Sequence, residues 1–305
     1  MKKLIVAISL LLSSATYAQE QVEVVTRFSA VSIVGQNIIS LVGAMNETQN
    51  KYEFRFSSIP GAEGEAAYKS GFAKFGAGSK IIFISSVSDF TFGKLNNNAK
   101  REWSEDDLTF VSGLFNSYPA VLVRNDSPFN TIEELVEHLR SKYPLAYIAS
   151  NVNARGNLYL GQVFKKHYKL DNLSTLRYGP IPDIMASVVR GESDLTIFSI
   201  NDMPSLKPLL IVSDKRSELF PDVPTSVEKG LPAMLVNSFS FITAPKQQTQ
   251  LIADVRDIMT KLCKNDEFKK IILTRRYEVS NMCIGEEQIR MRVNTEFERI
   301  KENMK

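Results

Sequence analysis

Residues 150–158, SNVNARGNL, place three asparagines, an arginine and a glycine between an apolar strand pattern and an apolar helix pattern. Amide donors and a guanidinium gathered at a strand-to-helix turn have the chemistry of an anion site. The turn supplies backbone N–H groups at the helix N-terminus, and Arg155 can grip a carboxylate with two parallel, charge-assisted hydrogen bonds. Asn151 and Asn153 are the amide candidates beside it. The competing reading of Arg155 is a solvated side chain paired with a surface acid. Farther along, Asn201 and Asp202 follow a strand pattern that ends at Ser199, where a polar side chain could reach a cleft.

Other chemistry is poorly supplied. The two histidines, His138 and His167, fall inside helical patterns among charged residues and read as solvated. No nucleophile-elbow spacing, zinc-type histidine pair or cysteine–histidine dyad can be assembled. Gly76-Ala-Gly-Ser-Lys80 lacks the Gly-Lys-Ser/Thr order of a phosphate loop and precedes a strand, so it reads as a turn. These patterns imply binding rather than catalysis, with no cofactor and no metal.

The elements that must position these residues alternate strand and helix, the pattern of an α/β protein with largely parallel sheets. Strands are expected at 22–28, 52–57, 80–85, 110–115 and 120–124, with helices at 33–45 and about 63–74. A second unit begins with Thr131 as N-cap and Glu133 and Glu134 in the first helical turn, where the helix dipole favours acids. Strands at 145–149, 173–178, 194–199 and 209–213 follow, with helices at 158–168 and 182–190. Three helices, 248–264, 266–274 and 286–304, close the chain. Segments 121–124 and 239–243 read as crossings between two lobes. The expected organisation is residues 19–121 plus 244–305 as a discontinuous first lobe and 122–243 as the second. Ligands of open α/β sheets bind beyond the carboxyl ends of the strands, so two facing lobes would line one cleft.

The N-terminus supplies a compartment. Lys2 and Lys3 precede nine apolar residues, Leu4–Leu12, and Thr16 and Ala18 occupy the small-residue positions read by a signal peptidase. Nine residues are too few to span a bilayer, which takes about 20. Residues 1–18 therefore read as a signal peptide cleaved near Ala18, and the mature chain as an exported, periplasmic, soluble protein. Formal net charge is +3 over 305 residues, and Lys2 and Lys3 leave with the signal. That balance carries no electrostatic footprint for nucleic acid or a membrane surface. In an oxidising compartment Cys263 and Cys283 are spaced for a disulfide, with two buried thiols as the alternative.

Residues 219–245, LFPDVPTSVEKGLPAMLVNSFSFITAP, contain four prolines that forbid a continuous helix or central strand, with a short helical segment at 225–229 and a strand alternation at 237–243. The segment resembles a signature of the extracytoplasmic receptors of tripartite tricarboxylate transporters, the Bug receptors, of the form "lpDVPTvaEaGlPgyev-sw-gl-aP". Pro60-Gly-Ala-Glu-Gly64 resembles the family's "rPGAgG" turn, and residues 127–135, SPFNTIEEL, resemble its "spf-tl-eli". Tyr178 and Gly191-Glu-Ser-Asp194 resemble "vpYkg…G-vD". The resemblance covers nearly the whole mature chain. It implies a two-lobed, periplasmic-binding-protein-like fold, each lobe a mainly parallel sheet flanked by helices, with the ligand cleft between lobes. It also implies a monomeric receptor for a small organic carboxylate, with the membrane subunits of a tripartite tricarboxylate-type transporter as partner. Within that frame Phe28, Ser85, Ser86 and Tyr178 match positions that face the ligand.

Two loops depart from the family. Its first strand ends in a glycine-rich "PF-pGG-tD", whereas this chain reads RFSAVSIVG over residues 27–35, keeping only Phe28. Glycines there let backbone amides approach a carboxylate because no Cβ intervenes. Ser29 and Ser32 offer hydroxyls instead. Arg27 stands where the family usually has proline, facing either the cleft or the surface. The second departure is the 150–158 loop itself, where the family has "gs-gsspHl". Because of the altered first loop, a second function class remains: an exported protein that presents a bound ligand to a sensor or another membrane partner.

Overall fold

A computed structural model describes residues 19–61, 64–95, 101, 103–152, 155–232 and 239–303. The expected signal segment and Asn153 lie outside them. Two five-stranded sheets organise the chain. The first has the order β2-β1-β3-β10-β4 and is built from β1 (Glu20–Thr26), β2 (Tyr52–Ser58), β3 (Lys80–Ser86), β4 (Leu108–Asn116) and β10 (Phe239–Pro245). The second has the order β7-β6-β8-β5-β9, from β5 (Pro119–Arg124), β6 (Ala146–Asn151), β7 (Leu173–Tyr178), β8 (Leu195–Ser199) and β9 (Leu206–Ile211).

The sheets repeat one plan. β1 pairs in parallel with β2 and β3, and β10 runs antiparallel between β3 and β4. In the second sheet β6 pairs in parallel with β7 and β8, while β5 runs antiparallel between β8 and β9. Each sheet thus has one strand opposed to the rest, and each opposed strand follows the chain's passage from the other lobe. β5 pairs wholly within the second sheet and β10 wholly within the first. The sheet therefore changes at Ser117–Tyr118, ahead of the expected switch at 121/122, and β10 already lies wholly in the first sheet where the return switch is expected at 243/244. An apolar strand pattern does not reveal which sheet it joins, so the crossings were misplaced onto the strands.

Helices cover both faces of each sheet. On the first, α1 (Ile33–Thr48), α7 (Thr249–Leu262) and α8 (Asp266–Thr274) bury Ile38, Leu41, Val255, Ile258 and Ile272 against Val22, Val24 and Ile82. The opposite face holds α2 (Glu65–Gly76), α3 (Val87–Leu95) and α9 (Glu286–Asn303), where Tyr68 stacks on Trp103 with ring centroids 4.1 Å apart. In the second lobe α4 (Ile132–Ser141) and α5 (Arg155–Tyr168) cover one face and α6 (Ile181–Val189) the other. The start of α4 is the capping box expected at Thr131: its hydroxyl accepts from Glu134 N at 3.2 Å, and the Glu134 carboxylate accepts from Thr131 N.

α3 is an addition to the expected elements. Residues 87–92 are buried on every side, Val87 and Phe90 in the first lobe's core and Phe92 against Tyr159 of α5 in the second. A helix packed all round carries no amphipathic period to read. Cys263 and Cys283 are joined by a disulfide that encloses α8. Among the described residues no helix is long and apolar enough to cross a membrane.

Candidate functional site

The register brings one end of both sheets together. Ser240 lies opposite Ser86 and Phe239 opposite Asn116, so the carboxyl ends of β3 and β4 meet the start of β10. In the second sheet Asn151 pairs with Tyr178, and Ser199 lies opposite Pro119. A cavity of about 880 Å³ opens between these ends. Arg27, Phe28, Ser29, Ser32, Ser86 and Ser240 line it from the first lobe, and Asn151, Arg155, Asn157, Ser199 and Asp202 from the second.

Three helix N-termini point at this space. Ser32 and Val34 stand at the start of α1, Arg155 and Asn157 at the start of α5, and Pro180 and Ile181 at the start of α6. Each helix begins with the positive end of its dipole, while Ser32 caps the Gly35 amide of α1 and α6 carries Pro182 and Asp183 in its first turn. Arg155, exposed at the first position of α5, adds a full positive charge where the dipole is already positive, and α5 has no acid in its first turn to offset it. That combination favours an anion. Within the same wall Asn151 Nδ2 donates to Gly179 O at 2.6 Å, tying the β6 loop to the β7 loop. Asn157 Nδ2 donates to Ile197 O at 3.0 Å.

The altered first loop is closed on itself. Ser29 O accepts both the Ser32 amide at 3.0 Å and the Ser32 hydroxyl at 2.7 Å. Ser32 Oγ then accepts from Gly35 N at 3.0 Å as the N-cap of α1. Ser32 lines the cleft, yet its hydroxyl is engaged in forming the loop. Gly35 makes this packing feasible, because a Cβ there would stand 1.9 Å from Ser29 O. Beside the loop, Arg27 faces the cleft, which settles the orientation left open by sequence. Its Nε lies 2.8 Å from Asp89 Oδ1, and its Cζ lies 4.9 Å from the Phe28 ring centroid.

Three expected residues take other roles. Ser85 is fully buried and shares hydrogen bonds with Tyr68 Oη at 2.6 Å and Thr243 Oγ1 at 3.0 Å, so it fastens β3 to α2 and β10 rather than facing the cleft. One residue of strand register separates it from Ser86, which does face the cleft. The Tyr178 hydroxyl bonds Ser187 Oγ at 2.7 Å and its ring packs in the second core; the adjacent Gly179 lines the cavity instead. Asn201 is buried, accepts from Ser117 Oγ at 2.5 Å and donates to the carbonyl of Arg276, so it joins the lobes below the cavity.

Asp202 does line the cleft. Burial pushes its carboxyl up to about 6, against the opposing pull of the Ser199 hydroxyl. Burial, with the Asp202 charge adding to it, also holds the Tyr277 phenol well above its ordinary range. Tyr277 and Ser117 are cleft residues that sequence reasoning missed. Tyr277 comes from an irregular segment after α8, and no local pattern marks it. His138 and His167 lie on α4 and α5 and are absent from the cavity wall. Among the described residues no group of three or more His, Cys, Asp or Glu side chains could hold a metal ion.

Two α/β lobes around a cavity at the ends of their strands define a solute-binding class of fold, and comparison agrees. Residues 84–302 match the tripartite tricarboxylate transporter family receptor, TctC, and the chain belongs to that family. No curated protein sequence matches it. Among solved structures, a TctC solute-binding protein from Polaromonas superposes with a TM-score of 0.72 at 14% identity, over 95% of this chain and 99% of the other. Rpa4515 of R. palustris, with adipate, gives 0.77 at 15% identity over 93% and 95%. MatC from Rhodopseudomonas palustris, with bound malate, gives 0.71 at 16% identity over 94% and 99%.

Proposed function

We propose that this chain is an exported periplasmic receptor that captures a small organic carboxylate between its lobes, without turning it over. It then delivers the ligand to the membrane subunits of a tripartite tricarboxylate-type transporter. The observation that carries this reading is the convergence of three helix N-termini and Arg155 on one cavity of about 880 Å³. Such a site offers fixed partial charges and amide donors to an anion at little reorganisation cost. Family membership supports the transporter partner, and the adipate and malate held by two similar structures support the ligand class. The basic, apolar and small-residue order of residues 1–18 supports export.

The chain passes from the first sheet to the second at Ser117–Tyr118 and returns between β9 and β10. That topology supports hinge closure of the lobes around the ligand. A thermal-shift screen of small organic acids on the mature protein tests the reading. An acid at 100 times its dissociation constant should stabilise the fold by about 2.7 kcal/mol. A screen of mono-, di- and tricarboxylates in which none raises the melting temperature would remove the basis for a carboxylate receptor.

A further inference from the structure

We propose that Arg27 is the first lobe's anion contact, a guanidinium standing in for an amide-presenting loop, with Asp89 as its positioning residue. This rests on the receptor reading above. Among the described residues lining the cavity the cations are Arg27 and Arg155, one from each lobe. Arg27 directly follows the last residue of β1, so it leaves the sheet at the strand's carboxyl end. The neighbouring loop turns its hydrogen bonds inward, with Ser29 O and Ser32 Oγ both spent on closing it.

Arg27 is held from behind. Nε meets Asp89 Oδ1 at 2.8 Å, and Nη2 donates to Ser88 Oγ at 2.7 Å and Ser86 Oγ at 3.1 Å. Asp89 in turn accepts from Ser86 N at 2.8 Å and Ser86 Oγ at 3.1 Å. The acid is buried and forms no part of the cavity wall, whereas Arg27 does. A ligand carboxylate therefore meets the cation, with the acid behind it. Asp89 also sits in the first turn of α3, where the helix dipole shares in stabilising its charge. Gly64 keeps the pair seated: a Cβ there would lie 3.2 Å from Asp89 Oδ1 and 3.5 Å from Arg27 Cδ, at a φ of +93°. Buried ion pairs are seldom worth more to stability than apolar packing. A pair placed at the wall of a binding cavity, with its cation outermost, is better explained by a ligand.

The test titrates wild type, Arg27→Lys, Arg27→Met, Asp89→Asn and the double variant Arg27→Met/Asp89→Asn with adipate, malate and hexanoate, recording ligand-free melting temperatures alongside. For an acid that binds wild type, Arg27→Met should weaken Kd by about tenfold or more, with Arg27→Lys intermediate because it keeps the charge and loses the planar fork. The double variant removes both charges, so it should melt near wild type and still bind weakly. Asp89→Asn should weaken binding while retaining the salt dependence that Arg27→Met loses. Wild-type affinity in the double variant would overturn the role of Arg27, and wild-type affinity in Asp89→Asn would overturn that of Asp89, both leaving the receptor reading intact. Failure of every acid in the wider thermal-shift screen to bind wild type would overturn the receptor reading itself, a result distinct from either of these.

Discussion

The Ser217 hydroxyl donates to Glu278 Oε1 across 2.6 Å, binding the segment after β9 to the segment between α8 and α9. Both residues are buried. The same oxygen takes the Glu218 amide at 3.1 Å, while the Glu278 backbone pairs both ways with Asn116, the last residue of β4. One acid therefore links the two lobes at the base of the cleft, beside the first crossing.

Burial raises the Glu278 pKa, so the folded state favours the neutral acid. The stability tied to that proton is complete below the ordinary value of 4.5 and is lost as pH rises through the raised folded value. Ser217→Ala removes a donor to a buried acceptor and should cost about 1–3 kcal/mol in urea unfolding. The loss should grow as pH rises through the folded value, because the deprived group carries charge above it. Equal losses below and above that value would contradict this account of the link.

Asp202 gives a second pH signature. Its pKa rises from 3.8 to about 6 on folding, so its contribution is complete below pH 4 and gone above pH 6. Asp202→Asn should stabilise the ligand-free protein at pH 7.5 by about 2–3 kcal/mol and leave it little changed at pH 4. Melting curves of both proteins across that range provide the check. A variant no more stable than wild type at pH 7.5 would show that Asp202 is solvated.

Gly35 tests the loop at the mouth of the cleft. A Cβ at this position would meet Ser29 O at 1.9 Å and Ser29 C at 2.8 Å, both backbone atoms that cannot swing aside. Gly35→Ala should cost about 1–3 kcal/mol. Gly43→Ala is the control in the same helix: a Cβ there meets nothing within 4 Å, and it should stabilise by about 0.5–1 kcal/mol. Thermal melts of the two variants should move in opposite directions.

Local signals in the sequence were reliable guides, and long-range ones were not. The Thr131 cap placed the start of α4 because a capping box spans only four residues. The proline-rich stretch marked its own turn: Thr225 and Glu228 cap one another and Gly230 adopts a φ of +77°. Arg155, Asn151, Ser29, Asp202, Phe28 and Ser86 line the cavity because the loops that follow strand ends are where an α/β cleft forms. Ser85 was misjudged because adjacent strand residues point to opposite sides. Tyr277 and the orientation of Arg27 were beyond reach because both depend on partners far away in the chain, Ser117 and Asp202 for the first, Ser86, Ser88 and Asp89 for the second.

Arg155 is proposed to touch a small organic anion directly in the cleft. Calorimetric titration of the protein and of Arg155→Ala with small organic acids checks this contact. The account predicts saturable, one-to-one binding of at least one acid by wild type. It also predicts a weakening of about tenfold or more in the variant, with ligand-free melting curves recorded alongside to confirm that the variant folds. Wild-type affinity in Arg155→Ala, or no binding of any acid by the wild-type protein, would contradict it.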